Sequence, residues 1–181
     1  MQSPVRFPVL CLAALCLVST VRSQDSAAEP VFSSTTVDIG VVASDLEASA
    51  KFYTGALGLT ETKGFTATPE KATAFGLTNH LGADIRVFVL GEGSAATRIK
   101  LMSFPTAGGT KPDQTYIHST IGLSYLTLRV TDMKAALQRL KEAKVELLGE
   151  TPASLGGDNY LVAVKDPDGN FIELIGPMKS E

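Results

Sequence analysis

Two stretches of this chain carry the same succession of patterns. Residues 37–57, VDIGVVASDLEASAKFYTGAL, open with a short apolar run that predicts a strand. Ser44-Asp45-Leu46-Glu47 follows, a capping-box sequence whose polar side chains satisfy free N–H groups at a helix start. Leu46, Ala50, Tyr53 and Leu57 then recur at helical spacing and form the stripe that should be buried. Residues 124–147, SYLTLRVTDMKAALQRLKEAKVEL, repeat the plan. A strand ends at Val130, Thr131-Asp132 cap a helix, and Met133, Ala136, Leu137 and Leu140 make its stripe.

The second halves of the two stretches also correspond. RIKLMSFP (98–105) resembles FIELIGP (171–177), which sets Lys100 against Glu173. Asp45 and Asp132 lie 87 residues apart but Lys100 and Glu173 only 73, so the first copy carries a connection 14 residues longer. That length fits GFTATPEKATAFGLTNHLG, residues 64–82. Each copy reads strand, helix, then about three strands. These strands are expected near 59–63, 84–90 and 97–104, and near 145–150, 159–165 and 170–175. Gly91-Glu92-Gly93-Ser94 and Asp166-Pro167-Asp168-Gly169 supply the hairpin turns between the last two strands of each copy. A Gly-, Pro- and Thr-rich linker, residues 105–120, separates module one (37–104) from module two (121–177).

Composition narrows the setting. The chain has 181 residues, of which 44% are hydrophobic, and a formal charge of −3. That is enough apolar material for the core of one domain, residues 37–177. An acidic balance without a basic run excludes a nucleic-acid partner. Residues 1–23 read as an export signal: Arg6, an apolar run over 9–18, then Val21 and Ser23 placed for cleavage before Gln24. Ten apolar residues span about 15 Å as a helix, half a bilayer core, so no permanent membrane span is expected in the mature chain. Cys11 and Cys16 both fall in this segment, so the mature protein has no thiol chemistry and a charge of −5 after loss of Arg6 and Arg22. Residues 24–36, rich in Ser, Ala and Thr, read as a flexible lead-in, and the expected location is outside the cytoplasm, periplasmic or secreted.

Glu173 stands between Ile172 and Leu174 in a predicted strand, and a charge among apolar neighbours needs water, a metal, a cation or a proton. Alternation places Phe171, Glu173 and Ile175 on one face and Ile172 and Leu174 on the other. By the same rule Arg98, Lys100 and Met102 share a face, as do Asp38, Gly40 and Val42, and Tyr125, Thr127 and Arg129.

Two βαβββ copies, the strand-SDLEAS and strand-TDMKAA openings and the DPDGNFIEL ending resemble the vicinal oxygen chelate superfamily, over roughly residues 36–177. This group includes glyoxalase I, extradiol dioxygenases, fosfomycin-resistance enzymes and bleomycin-resistance proteins. The resemblance implies an α+β fold of two tandem modules whose curved sheets form a cup, with helices on the outer face. It also implies four cup positions that hold a divalent metal, two on the first strands and two at the centres of the last strands. Those positions are Asp38, Lys100, Tyr125 and Glu173 here, in place of the family's usual two His or Gln and two Glu. Lys can only donate at neutral pH and repels a metal, and a phenol is a poor ligand below a pKa of about 10. Asp38 and Glu173 remain as weak metal candidates. No cofactor is expected, with a divalent metal the lesser alternative. His80 and His118 fall in connections.

The expected arrangement therefore has the Lys100 ammonium replacing the metal inside the cup, with Glu173 and Asp38 as counter-charges and the Tyr125 hydroxyl as partner. Arg98, Met102, Thr127 and Phe171 extend the expected ligand-binding surface. A cup that is apolar with a few charges suits a small organic ligand. Three functions stay open. One is a metal-free binding protein; the second is a lyase-like or dioxygenase-like enzyme with Glu173, Lys100 or Tyr125 as catalytic candidates; the third is a structural module that has lost its site. The resemblance also leaves a homodimer open, since members form the cup within one chain or between two.

Overall fold

A computed structural model describes residues 31–93, 95–107 and 109–179. The export signal, both cysteines and most of the expected lead-in lie outside the described residues. Among the described residues, eight strands form two four-stranded sheets of identical plan. In module one, β1 (Asp38–Val42), β2 (Thr60–Ala67), β3 (Ala83–Val89) and β4 (Arg98–Met102) pair in the order β1-β4-β3-β2. In module two, β5 (Tyr125–Arg129), β6 (Ala153–Gly156), β7 (Asn159–Lys165) and β8 (Phe171–Pro177) pair in the order β5-β8-β7-β6. The first strand of each module runs parallel to the last, which requires a crossover, and a helix supplies it.

The crossover of module one is α1 (Leu46–Lys51), which continues as a π-helical turn over Phe52–Ala56. Asp45 is its N-cap and accepts from the Ala48 N–H at 3.0 Å. The neighbouring Ser44 hydroxyl is engaged elsewhere, with Asp168. Asp132 caps α3 (Met133–Glu142) in the same manner, through the Ala135 N–H. The long connection of module one folds into the second half of β2 and a short helix, α2 (Pro69–Ala74), started by Thr68 and Pro69.

Exposure alternates along the strands as the period-2 reading requires: β4 and β8 bury every second residue. Ile99, Leu101, Ile172 and Leu174 are buried, together with Phe88, Val162 and Val164 of the adjoining strands. They meet Ala50, Tyr53, Met133 and Leu140 of the helices in one continuous apolar cluster. The helices thus cover one face of each sheet and leave the Lys100 and Glu173 faces accessible. One expected strand is misplaced. Residues 145–150 are irregular and β6 begins at Ala153. Val145 and Leu147 are apolar because they pack against the core after α3 ends, not because they pair in the sheet.

The DPDGN stretch does more than turn the chain. Gly169 takes φ +95°, and the Asp166 carboxylate accepts from the N–H groups of Asp168 and Asn170 at 3.0 and 2.9 Å. The two carboxylates also reach module one. The buried Tyr53 hydroxyl donates to Asp166 at 3.0 Å, and Asp168 accepts from the Ser44 N–H, the Ser44 hydroxyl and the Ser49 hydroxyl. The turn of module two is latched onto the strand-to-helix junction of module one.

Candidate ligand site

The accessible face of module one carries Asp38, Arg98, Lys100 and Met102. Strand register explains their contacts. Asp38 lies opposite Arg98 across β1 and β4, with Lys100 two residues along. A diagonal neighbour at that spacing is within reach of a long side chain. The Lys100 ammonium meets the Asp38 carboxylate at 2.7 Å, and the Arg98 guanidinium stands 3.7 Å from its other oxygen. The Lys100 hydrogen bond holds the Asp38 carboxyl below its ordinary pKa. Lys100 also stands 5.8 Å from the centre of the Phe65 ring. Met102 extends its terminal methyl over Gly40, where an added Cβ would meet it at 3.5 Å.

A second set of residues lies on module two. Thr127 is directly opposite Glu173 across β5 and β8, and its hydroxyl donates to the Glu173 carboxylate at 2.7 Å. Tyr125 is opposite Phe171, and Lys165 of β7 faces Phe171 from the other side. A cavity of about 460 Å³ opens over this face. Tyr125, Phe171, Glu173, Ala163, Lys165 and Leu148 line it on the module side.

The linker forms the other wall, with Thr115, Tyr116, Ile117 and His118. The Tyr116 and His118 rings stack at 5.5 Å with 4° between their planes. This wall is anchored at Gln114. The Lys165 ammonium donates to the Gln114 carbonyl at 2.7 Å and lies 4.5 Å from the Phe171 ring centre. The Gln114 side-chain amide reaches the Asp168 carbonyl in the turn at 2.8 Å.

The eight residues expected to share a cup fall into two sets. Asp38, Arg98, Lys100 and Met102 stay on one sheet, and Tyr125, Thr127, Phe171 and Glu173 on the other. Among the described residues Lys100 and Glu173 form no ion pair, which corrects the expected bridge. The cause is local: each charge finds a cross-strand neighbour inside its own module, Asp38 for Lys100 and Thr127 for Glu173. Tyr125 lines the cavity beside Glu173 and does not join Lys100. His118 and Lys165 were missed. A histidine in a loop gives no periodic signal, whereas Lys165 could have been found by carrying the alternation back across the hairpin from Phe171.

The fold has counterparts among known proteins. The family model described as Glyoxalase/Bleomycin resistance protein/Dioxygenase superfamily matches residues 35–174, and the chain belongs to that superfamily. Among solved structures it is similar to a glyoxalase family protein from Bacillus cereus, with 18% identity, a TM-score of 0.68, and coverage of 84% of this chain and 99% of that one. It is also similar to the trypanothione-dependent glyoxalase I of Leishmania major, at 22% identity and TM-score 0.55, covering 78% and 85% of the two chains. The fosfomycin resistance protein FosX of Listeria monocytogenes matches at 16% identity and TM-score 0.53, covering 80% and 94%. At these identities the likeness is one of fold. No curated protein matches the chain significantly. No helix among the described residues is long and apolar enough to cross a membrane.

Proposed function

We propose that this protein binds a small organic molecule in the module-two cavity, without the family's divalent metal, and acts outside the cytoplasm. The observation that carries the reading is the cavity itself: about 460 Å³, walled largely by aromatic and aliphatic side chains, with the Glu173 carboxylate and the Lys165 ammonium in its lining. Ligand sites for small molecules have this size and this mixture.

The donor set at the four family positions does not suit a divalent ion. The Lys100 ammonium fills the position of a ligand and is already paired with Asp38 at 2.7 Å. Tyr125 offers a phenol, and among the described residues no three His, Cys, Asp or Glu side chains gather at one point. Glu173 alone has the chemistry of its counterpart in the family. A second reading is a metal-independent lyase-like enzyme, favoured by the presence of Glu173, Tyr125 and His118, three proton-transfer groups, around one cavity.

The test is a thermal-shift screen of small organic compounds on chelator-treated and untreated protein, with metal analysis alongside. Stabilising compounds, and an equal melting temperature with and without chelator, are expected. Stoichiometric Zn, Ni, Fe or Mn, or a screen without stabilising compounds, overturns the reading. Mass spectrometry of a bound compound separates binder from enzyme by whether it is recovered unchanged. N-terminal sequencing of the expressed protein tests export; a chain beginning at Gln24 is expected, and an intact Met1 in the cytosol counts against it.

A further inference from the structure

The module-two cavity contains a charge without its complement. The Glu173 carboxylate accepts one hydrogen bond, from Thr127 at 2.7 Å, and no cation lies within ion-pair distance among the described residues. Lys165 is the other charged group of the cavity, but its ammonium is held at the Gln114 carbonyl and over the Phe171 ring. Apart from Thr115 and Gly149, the rest of the lining is aromatic or aliphatic. Tyr116, His118, Tyr125 and Phe171 line the cavity, and aromatic faces carry a negative quadrupole that attracts cations and disfavours anions. The placement of the Lys165 ammonium 4.5 Å from the Phe171 ring centre is an instance of that attraction within the cavity wall.

We infer that the ligand of this cavity is a flat aromatic molecule bearing an amine. Its ring packs with Tyr116, His118 and Tyr125, and its ammonium approaches Glu173. The inference rests on the cavity being a ligand site, as proposed above, and adds the charge and shape of the occupant. The volume accommodates a bicyclic ring with a short aminoalkyl chain.

Three probes with one ring separate charge from shape: tryptamine, 3-methylindole and indole-3-propionate. The chain contains no tryptophan, so indole fluorescence reports the probe without protein background. Titrations of the full chain at neutral pH should find tryptamine bound roughly five- to tenfold more tightly than 3-methylindole, the sum of a solvated ion pair and a cation–π contact. Indole-3-propionate should be the weakest of the three. Glu173→Gln should lower tryptamine toward the level of 3-methylindole, leaving only the cation–π part of its advantage, and should affect 3-methylindole less. Added NaCl should weaken tryptamine alone, which tests the charge pairing without any variant. Equal binding of tryptamine and 3-methylindole, or tightest binding by indole-3-propionate through Lys165, overturns the inference. If no indole binds while the thermal-shift screen yields other compounds, this inference falls and the binding function stands. If that screen also yields nothing, both fall.

Discussion

At the scale of single residues, Lys100 has a defined partner, and that partner makes its role measurable. The Lys100 and Asp38 side chains are 29% and 31% exposed, so their pair is partly solvated. Such a pair contributes about 0–1 kcal/mol. Lys100→Met should therefore cost little stability, while the Asp38 carboxyl, held low chiefly by the Lys100 hydrogen bond, moves back toward its ordinary value. An NMR titration of the Asp38 carboxyl in the two proteins checks this; an unmoved carboxyl refutes the pairing. A double-mutant cycle should find coupling between Lys100 and Asp38 and none between Lys100 and Glu173. Sequence alone placed Asp38, Lys100, Tyr125 and Glu173 on the faces they occupy, because alternation fixes a face. It could not tell which charges meet, because that depends on register between strands far apart in the chain. Thr127 opposite Glu173 and Asp38 diagonal to Lys100 are facts of pairing, not of periodicity.

At the scale of elements, the DPDGN turn joins three parts of the molecule. It closes the β7–β8 hairpin, it receives Tyr53 and Ser44 of module one, and it anchors the linker through Gln114. The turn was legible as a turn from Pro167 and Gly169. Its outward contacts were not, because nothing local distinguishes a carboxylate that caps its own loop from one that also binds a distant hydroxyl. Tyr53→Phe isolates one of these contacts. The ring stays packed between Phe52 and Phe88, and only the hydroxyl on Asp166 is lost. Loss of a hydrogen bond to a buried charge predicts about 1.5–3 kcal/mol of destabilisation, read from the urea midpoint at unchanged slope. No change would mean that Asp166 is satisfied by its own turn. Gly169→Ala tests another. A Cβ there would sit at φ +95° and press on the Gln114 side chain. The backbone penalty of about 1–2 kcal/mol should be accompanied by loosening of the linker wall, visible as faster amide exchange at Thr115.

At the scale of the whole molecule, the two modules are held partly by apolar packing and partly by carboxylates, and only the second depends on pH. Burial of Asp168 by itself would raise its pKa, but the hydrogen bonds from Ser44 and Lys111 outweigh that and hold it below the ordinary value of 3.8. A carboxyl whose pKa is lower folded than unfolded stabilises the protein in full above the unfolded value. As the pH falls through 3.8 and toward the folded value, the unfolded chain binds the proton first, and that contribution is lost. Stability should therefore decline with acid. The decline should also be smaller in a variant that lacks the Ser44 hydroxyl, because its Asp168 is depressed less. Ser44→Ala should cost about 1.5 kcal/mol near neutral pH, where the carboxylate is charged. Below the folded pKa the protonated Asp168 gains less from the Ser44 hydroxyl, and the two proteins should converge. Urea denaturation of both at neutral pH and at successively lower pH below 3.8 follows the gap as it closes. A gap that persists undiminished in acid would show that Ser44 acts through packing at the end of β1, and that the latch between the modules is not electrostatic.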